Sequence, residues 1–293
     1  MRCKDNRPSG RKHFKWHSKQ RCKRGTLTIF ERGVIVEDLR SLVTKPIGLG
    51  TANIQPYLNG LMSKRILHAA LDAGISYFDT SPRYGLSQKF LGDHLPKNDH
   101  TIIATKVGLD PIKTSAVSII GDQLKSKIKK PFRGLKSKSK GERLVPVNPS
   151  KIYPFDSFLN SIENSLRLLN RETLDVLHIH EPENIINLEE LLDWVDMKRR
   201  AGLVRYRGLA IHRLGSNLLS ASFDSDIIWQ FSWNHRDLFA EKCITPIIFG
   251  TGRVLFHDEQ PVNNLSALIQ GIPRAIVLTQ TTTPNNLQWV HDL

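Results

Sequence analysis

The sequence predicts a parallel barrel of eight strands surrounded by helices, the (β/α)8 or TIM-barrel fold. Eight short, β-rich apolar runs recur along the chain, and a helical pattern follows each of them. These runs are continuously apolar, as expected of strands that are covered on both faces. The 293 residues leave room for one large domain or two small ones, and 40% hydrophobic with 24% charged residues is an ordinary globular composition.

A β-hairpin is predicted ahead of the barrel at residues 26–36, where two short β runs flank the turn signal Glu31-Arg32-Gly33. We expect this hairpin to close the bottom of the barrel. The alternative fold is an open, doubly wound sheet, but no G-x-G-x-x-G motif follows the first predicted strand. The eight barrel strands are predicted at residues 46–50, 75–79, 101–106, 174–180, 204–211, 226–230, 244–249 and 274–278.

Helices are predicted between the strands from apolar residues at helical spacing and from helix-end signals. The helix at 188–200 is the best specified, because Asn187 is a candidate N-cap before it and Gly202 follows its basic last turn. The other helices are predicted at residues 63–71, 87–95, 155–169, 215–222, 235–242, 261–270 and 284–293.

The net charge of +14 is concentrated in two segments. Residues 1–25 carry a net charge of +9 and residues 109–151 one of +8, which leaves −3 for the rest of the chain. Charge blocks of this kind are more typical of solvated tails and loops than of binding surfaces, so nucleic acid is not an expected partner. We predict a poorly ordered basic tail over 1–25 and one barrel domain over 26–293, with a Lys-rich insertion loop at 109–151.

Several classes of protein do not fit the sequence. No run of about eighteen apolar residues could cross a membrane, and no apolar stretch follows the N-terminal charges as in a secretory signal. Three cysteines give no disulfide framework, so a cytoplasmic location is expected. His13 and His17 have metal-like spacing, but no Cys-x-x-Cys accompanies them and no metal is expected.

Four reactive side chains stand at or just beyond the ends of consecutive predicted strands. Asp79 ends the second strand and Tyr84 lies in the loop after it, while Lys106 and His180 end the third and fourth strands. These strand ends share one rim of a barrel. An ammonium beside a phenol lowers the pKa of the phenol from its ordinary value near ~10, and a carboxylate would hold that ammonium in place. The pattern therefore predicts a proton-transfer site.

Each of these residues alone also has a simpler interpretation. Asp79 could be a helix cap or a buried ion-pair partner, and Tyr84 a packed aromatic residue. Their order and spacing favour the functional interpretation. His178 lies two residues before His180 and points to the same side of the strand, so periodicity does not decide which imidazole is catalytic.

The stretches around these residues resemble the aldo-keto reductase family, most of all its aldose and pyridoxal dehydrogenase branch. They are GLGTANI (48–54), LHAALDAGISYFDTSPRYGLSQKFLGDHL (67–95), IIATKVG (102–108), SIENSLRLLNRETLDVLHIHEPE (161–183) and KRRAGLVRYRGLAIH (198–212). The resemblance implies a catalytic tetrad of Asp79, Tyr84, Lys106 and His180, and it selects His180 over His178. Tyr84 would be the general acid in reduction and the general base in oxidation.

The resemblance also implies a nicotinamide cofactor, NAD or NADP, bound along the barrel rim. Its site residues would be His212, Gln230, Phe249, Gln280, Thr281 and Thr282. Members specific for NADP use Lys or Arg against the 2′-phosphate, where this chain has Gln280 and Asn286, so NAD is slightly favoured. Trp289 and Val290 stand where the family has a polar pair that binds adenine.

These observations together predict an NAD(P)-dependent oxidoreductase. It would transfer a hydride between the cofactor and a small-molecule aldehyde, ketone or sugar hemiacetal. The alternative is a non-catalytic barrel relative whose basic segments bind nucleic acid or a protein partner.

Overall fold

The structure is a computed structural model, and it describes residues 28–31, 34–54, 56–97, 100–109, 150–211, 226–239 and 245–293, together with Leu218. The predictions for the basic tail, for all but the ends of the insertion and for the helix at 215–222 lie outside these residues, apart from Leu218. The predicted cofactor residue His212 also lies outside the described residues.

The N-terminal hairpin is present, and a short helix follows it. Strands β1 (Thr28–Glu31) and β2 (Val34–Glu37) pair antiparallel, and α1 (Leu39–Leu42) comes next. Leu39 and Val43 pack against the apolar side chains inside the barrel. Helix α1 therefore contributes to the closure that the sequence analysis assigned to the hairpin.

Eight parallel strands form the closed barrel that the sequence predicts. Each strand pairs with its neighbours in chain order, and the last pairs with the first. All eight coincide with predicted runs, with ends that differ by at most two residues. They are β3 (Ile47–Gly50), β4 (Tyr77–Asp79), β5 (Ile102–Val107), β6 (Leu174–His180), β7 (Val204–Ala210), β8 (Ile228–Ser232), β9 (Pro246–Phe249) and β10 (Ile276–Thr279).

Seven helices lie between these strands in the described part of the chain; six are near predicted positions, and the short helix at Gly252–Leu255 is not among the predicted ones. They are α2 (Pro56–Asp72), α3 (Ser87–His94), α4 (Phe155–Leu169), α5 (Leu188–Arg200), α6 (Arg236–Phe239), α7 (Gly252–Leu255) and α8 (Pro261–Gly271). Shorter 3₁₀ turns cover Pro182–Asn184, Trp233–His235 and His257–Glu259, and a longer one covers Pro284–Asp292.

Three details differ from the sequence predictions. Helix α2 begins seven residues early, at Pro56, which is tolerated in a first turn because its missing N–H would be unpaired there. The last segment is 3₁₀ rather than α-helical, and there the Trp289 indole N–H donates to the Asn286 carbonyl (2.9 Å). Asn187 is the N-cap residue of α5, as predicted, but it makes no side-chain capping hydrogen bond, because its side chain exchanges two hydrogen bonds of 3.2 Å with the backbone of Tyr153.

Side chains along each strand alternate between two cores. On β5, Ile102 and Ala104 belong to the core inside the barrel, while Ile103 and Val107 belong to the core between barrel and helices. Among the described strand residues that this alternation turns inward, toward the barrel axis, five carry a charged, imidazole or amide group. They are Asp79, Lys106, His178, His180 and Gln230.

The strand register stacks the inward side chains in layers. Following the pairings once around the barrel returns to the first strand displaced by eight residues, the shear of a TIM barrel. A layer perpendicular to the axis therefore takes its residues from alternate strands. One layer holds Asp79, His178, Gln230 and Leu278, and the layer above it holds Gly50, Lys106, Ala210 and Phe249.

A cluster of ion pairs, here called the outer ion cluster, ties α5 to β7 outside the barrel. Its members are Asp196, Arg199, Arg200, Arg207 and Asp226. Both carboxylate oxygens of Asp226 accept from guanidinium groups, Oδ1 from Arg207 at 2.9 Å and Oδ2 from Arg199. Burial alone raises the pKa of Asp226, but the hydrogen bonds and charges of Arg207 and Arg199 outweigh it and hold the pKa below its ordinary value.

Candidate active site

The ends of β4 and β5 bring a carboxylate and an ammonium together inside the barrel. Lys106 Nζ donates to Asp79 Oδ1 at 2.5 Å and to the Thr80 carbonyl at 3.0 Å. Each of the two ionic side chains is only 3% exposed. A buried pair of this kind is stable only while both partners are present, because either charge alone would be desolvated without compensation.

Tyr84 stands over this ion pair on the loop between β4 and α3. Two turns shape the loop: the Tyr84 amide donates to the Ser81 carbonyl (2.9 Å), and the Ser87 amide donates to the Tyr84 carbonyl (3.2 Å). The half-buried Tyr84 ring has its centroid 5.1 Å from Lys106 Nζ. The structure thus brings together Asp79, Tyr84 and Lys106 as the sequence analysis expects.

The net pKa shift of Tyr84 differs from the expectation. Burial raises the pKa of the phenol above its ordinary value, and the negative charge of Asp79 adds to the rise. Lys106 lowers the pKa through its charge and a hydrogen bond, as predicted, but it does not offset the burial. The phenol is therefore protonated at neutral pH, which suits a proton donor.

Three hydroxyl groups that the sequence analysis did not single out hold the end of β4. Thr51 Oγ1 donates to the Asp79 carbonyl (2.8 Å) and lies 2.5 Å from Ser87 Oγ, which lies 2.9 Å from Thr80 Oγ1. All three residues are buried. Their sequence signal is weak, because a hydroxyl-bearing residue at a strand or helix end is common and only the packing shows that these three meet.

Two histidines of β6 face the barrel axis at different depths. His180 ends the strand and is half-buried, whereas His178 is fully buried. The His178 ring occupies the space beside Gly208, where any Cβ would overlap it. Burial lowers the pKa of His178 well below its ordinary value, and the charges of Lys106 and His180 add to the effect, so the ring is neutral.

Gln230 and Phe249, two of the predicted cofactor residues, point into the barrel from β8 and from the end of β9. The Gln230 amide nitrogen donates to Asp79 Oδ1 at 3.1 Å. Its buried amide oxygen has no hydrogen-bond partner among the described residues. Phe249 is half-buried one layer above and packs against the inner core. An aromatic ring one layer above an unpaired amide acceptor fits a nicotinamide ring that carries a carboxamide N–H₂.

The loop after β10 carries the other predicted cofactor residues. Gln280 is exposed and packs over Gly50, where a Cβ would lie 2.9 Å from its Cγ. Thr281 is buried in a turn, with its hydroxyl donating to the Thr283 carbonyl (2.8 Å), and Thr282 is exposed. Val290 is fully buried, so of the two predicted adenine-side residues only Trp289 is accessible.

Two further features, a metal-binding group and a membrane-spanning helix, are absent from the described residues. No group of three or more His, Cys, Asp or Glu side chains in that part of the chain could hold a metal ion. Within the same described ranges, no helix is both long enough and apolar enough to span a bilayer.

A family match covers more than half of the chain. The model of the aldo/keto reductase family matches residues 46–217, a range that includes all four tetrad positions.

Curated relatives match over parts of their length. The chain is 28% identical over 173 residues to the aldo-keto reductase YhdN of Bacillus subtilis (strain 168), covering 56% of this chain and 42% of that one. It is 29% identical over 151 residues to D-threo-aldose 1-dehydrogenase of Pseudomonas sp, covering 48% and 41%. It is 24% identical over 200 residues to pyridoxal 4-dehydrogenase of Microbacterium luteolum, covering 60% and 51%. The match thus spans about half or less of each relative.

Solved structures share the fold over most of the chain. Aldo-keto reductase AKR11C1 from Bacillus halodurans, in its holo form, superposes with a TM-score of 0.55 at 17% identity, covering 91% of this chain and 89% of that one. A mutant of Gox0644 in complex with NADPH gives 0.53 at 17% identity, covering 94% and 88%. At these identities the likeness shows the fold alone.

Proposed function

Since the chain belongs to the aldo/keto reductase family, we propose that it is an NAD(P)-dependent oxidoreductase that interconverts a carbonyl group and an alcohol. The observation that carries the proposal is the arrangement of Tyr84, Lys106 and Asp79 at the barrel mouth. The coarse reaction class follows from the family, while the residue roles and the substrate are our proposal.

Tyr84 acts as the proton donor when a carbonyl is reduced. A hydride arriving at the carbonyl carbon leaves negative charge on the oxygen, and the Tyr84 hydroxyl supplies the proton that completes the alcohol. A phenol whose pKa lies above its ordinary value is fully protonated at neutral pH, so it is ready for this step. The same pKa makes the reverse reaction, in which phenolate is the base, faster at alkaline pH.

Lys106, Asp79 and His180 support the proton transfer. Lys106 lowers the pKa of the phenol relative to burial alone and stabilises the phenolate left after donation. Asp79 fixes the ammonium with a hydrogen bond of 2.5 Å. His180, at the end of β6 and half-buried, orients the carbonyl oxygen.

Gln230 and Phe249 would hold the nicotinamide, as would His212 by its place in the resemblance, and Gln280, Thr281 and Thr282 would lie nearer the remainder of the dinucleotide. When bound, the cofactor supplies or accepts the hydride. Gln230 Oε1 would accept from the carboxamide N–H₂, and the Phe249 ring would cover one face of the nicotinamide. The Gln230 amide nitrogen also donates to Asp79, so the same side chain would contact both the cofactor and the Asp79–Lys106 ion pair.

The proposed substrates are aldehydes, ketones and sugar hemiacetals. D-threo-aldose 1-dehydrogenase and pyridoxal 4-dehydrogenase are among the relatives, and their names indicate an aldose and pyridoxal as the first compounds to test. NAD is the proposed preference over NADP, because residues 279–286 contain hydroxyls and amides but no Lys or Arg for a 2′-phosphate.

A binding and turnover screen tests the proposal. NADH and NADPH are titrated into the full chain while nicotinamide fluorescence is followed, and aldoses, pyridoxal and simple aldehydes are then screened in both directions. We expect binding of both cofactors, with NADH bound at least as tightly as NADPH, and turnover of at least one carbonyl compound.

The possible results separate the parts of the proposal. NADPH binding more than tenfold tighter than NADH would overturn the NAD preference and leave the reaction class intact. Failure to bind either dinucleotide would overturn the oxidoreductase assignment and favour the non-catalytic alternative.

A further inference from the structure

His178 is a buried imidazole that the proposed mechanism does not use. It is fully buried inside the barrel, and neither ring nitrogen has a hydrogen-bond partner among the described residues. An unpaired buried polar group costs free energy that an apolar side chain of similar size would not cost. The fold therefore carries at this position a residue that packing alone does not favour.

The barrel register places His178 in the layer of the two residues that hold Lys106 in position. Asp79, His178 and Gln230 come from alternate strands at the same height, and Leu278 completes their layer. The hydrogen bond of 3.1 Å across the barrel between Gln230 and Asp79 agrees with this common height. Lys106 lies one layer above and is the direct strand partner of His178.

The orientation of the ring follows from its neighbour on β7. The Nδ1 and Cε1 atoms of His178 fill the space that a Cβ on Gly208 would need. The ring edge with Nδ1 and Cε1 thus lies against β7, while β5, the strand that carries Lys106, flanks β6 on its other side. Glycine at 208 is what admits the ring in this orientation.

We propose that His178 is a positioning residue of the proton-transfer site, a neutral polar ring that fixes the Asp79 layer beneath Lys106 and thereby the place of the ammonium under Tyr84. This inference rests on the proposed function. Four polar groups surround the position of the ring. Asp79 and Gln230 lie in its layer, Lys106 lies in the layer above, and His180 follows two residues later on the same strand. An apolar residue at 178 would fill the volume but would bring no polar group to this cluster.

Substitution of His178 tests the inference, with Tyr77 as the matched control. Like His178, Tyr77 is fully buried and faces the barrel axis, and its hydroxyl has no hydrogen-bond partner among the described residues. It lies on β4, two residues before Asp79 and therefore deeper in the barrel. Thermal midpoints, kcat and KM are measured for wild type, His178→Leu, His178→Gln and Tyr77→Phe, with the cofactor and carbonyl substrate that wild type uses.

We expect His178→Leu and Tyr77→Phe to unfold at or above the wild-type midpoint, since each removes an unpaired polar group. His178→Leu should lose about ten- to hundredfold in kcat with KM within about threefold, the loss typical of a small misplacement in a catalytic site. Tyr77→Phe should keep wild-type kcat. His178→Gln, which retains a polar atom near the place of Nε2, should recover part of the loss.

Other outcomes overturn the inference. A kcat for His178→Leu within twofold of wild type means that His178 only fills space, and a His178→Gln enzyme no better than His178→Leu means that polarity is irrelevant. If His178→Leu does not fold, the apolar variant His178→Met takes its place, and the same thresholds apply to its kcat and to its comparison with His178→Gln. A wild-type chain that binds no dinucleotide overturns the proposed function, and the inference with it.

Discussion

Two buried groups of ion pairs in this molecule have similar charges and different surroundings. In the outer ion cluster both oxygens of Asp226 accept from guanidinium groups, and the cluster joins α5 to β7. Inside the barrel, Lys106 and Gln230 share one oxygen of Asp79, and a phenol and two imidazoles stand near the pair. The outer ion cluster thus holds the fold together, whereas the inner pair keeps groups that can exchange a proton at the barrel mouth.

Removing the phenol hydroxyl should give the largest effect on the inner site. Tyr84→Phe keeps the ring and loses the transferable proton, so we expect kcat to fall by about 10²–10⁴-fold while cofactor affinity and the thermal midpoint stay near wild type. Steady-state kinetics and nicotinamide fluorescence measure these quantities. Tyr153→Phe is the matched control, because Tyr153 is a half-buried tyrosine whose ring packs edge-to-face on Phe158 and whose backbone N–H donates to Asn187. Near-normal kcat in Tyr84→Phe would remove Tyr84 from the mechanism.

Removing one cation from the inner pair and one from the outer ion cluster should separate effects on kcat from effects on unfolding free energy. Lys106→Met and Arg207→Met each leave a buried carboxylate short of a cation, which typically costs about 3–5 kcal/mol of unfolding free energy. Arg207→Met should lie near the lower end because Arg199 still binds Asp226. Only Lys106→Met should also lose kcat in its folded fraction, because the phenolate then has no cation beside it.

Denaturant unfolding and kinetics on both variants make this comparison. Equal losses of kcat in Lys106→Met and Arg207→Met would erase the distinction between the two groups. A Lys106→Met enzyme with wild-type kcat would show that the ammonium does not act on Tyr84.

The smallest expected effect is on how the unfolding free energy decreases at acid pH. The pKa of Asp226 in the folded chain lies below its ordinary value, so the ionised form favours folding. That stabilisation is complete at neutral pH, begins to fade as pH falls through about 4, where an unfolded-chain Asp takes up its proton, and is lost as pH falls through the folded-state pKa. Urea unfolding from pH 7 to pH 2 should show a steeper loss in wild type than in Asp226→Asn. Parallel curves for the two proteins would mean that Asp226 does not contribute to acid sensitivity.

Much of the fold can be predicted from the sequence because local patterns encode it. The eight barrel strands are apolar runs between helical patterns, and the bounds of α4 and α5 agree with their periodicity and end signals. In a parallel barrel the C-terminal ends of all strands lie at the same rim. The sequence alone therefore places Asp79, Lys106 and His180 at one rim.

Contacts between distant segments could not be predicted in this way. Thr51 and Ser87 are 36 residues apart and Arg207 and Asp226 are 19 apart, and their meeting depends on how helices and loops pack around the barrel. Asn187 has the sequence signature of a helix cap, but the backbone of Tyr153, 34 residues away, takes its hydrogen bonds. Side-chain partners of this kind depend on which of several nearby groups the fold brings within reach.

The sequence by itself determined the order of strands, the barrel and the residue types at the rim of the candidate active site, because periodicity and strand ends are local properties. The tertiary structure decided the depth at which each group lies. Burial outweighs Lys106 in setting the pKa of Tyr84, and the barrel register places His178 level with Asp79 and Gln230. Both depend on closure of the barrel, since desolvation and common height exist only once all eight strands surround the axis.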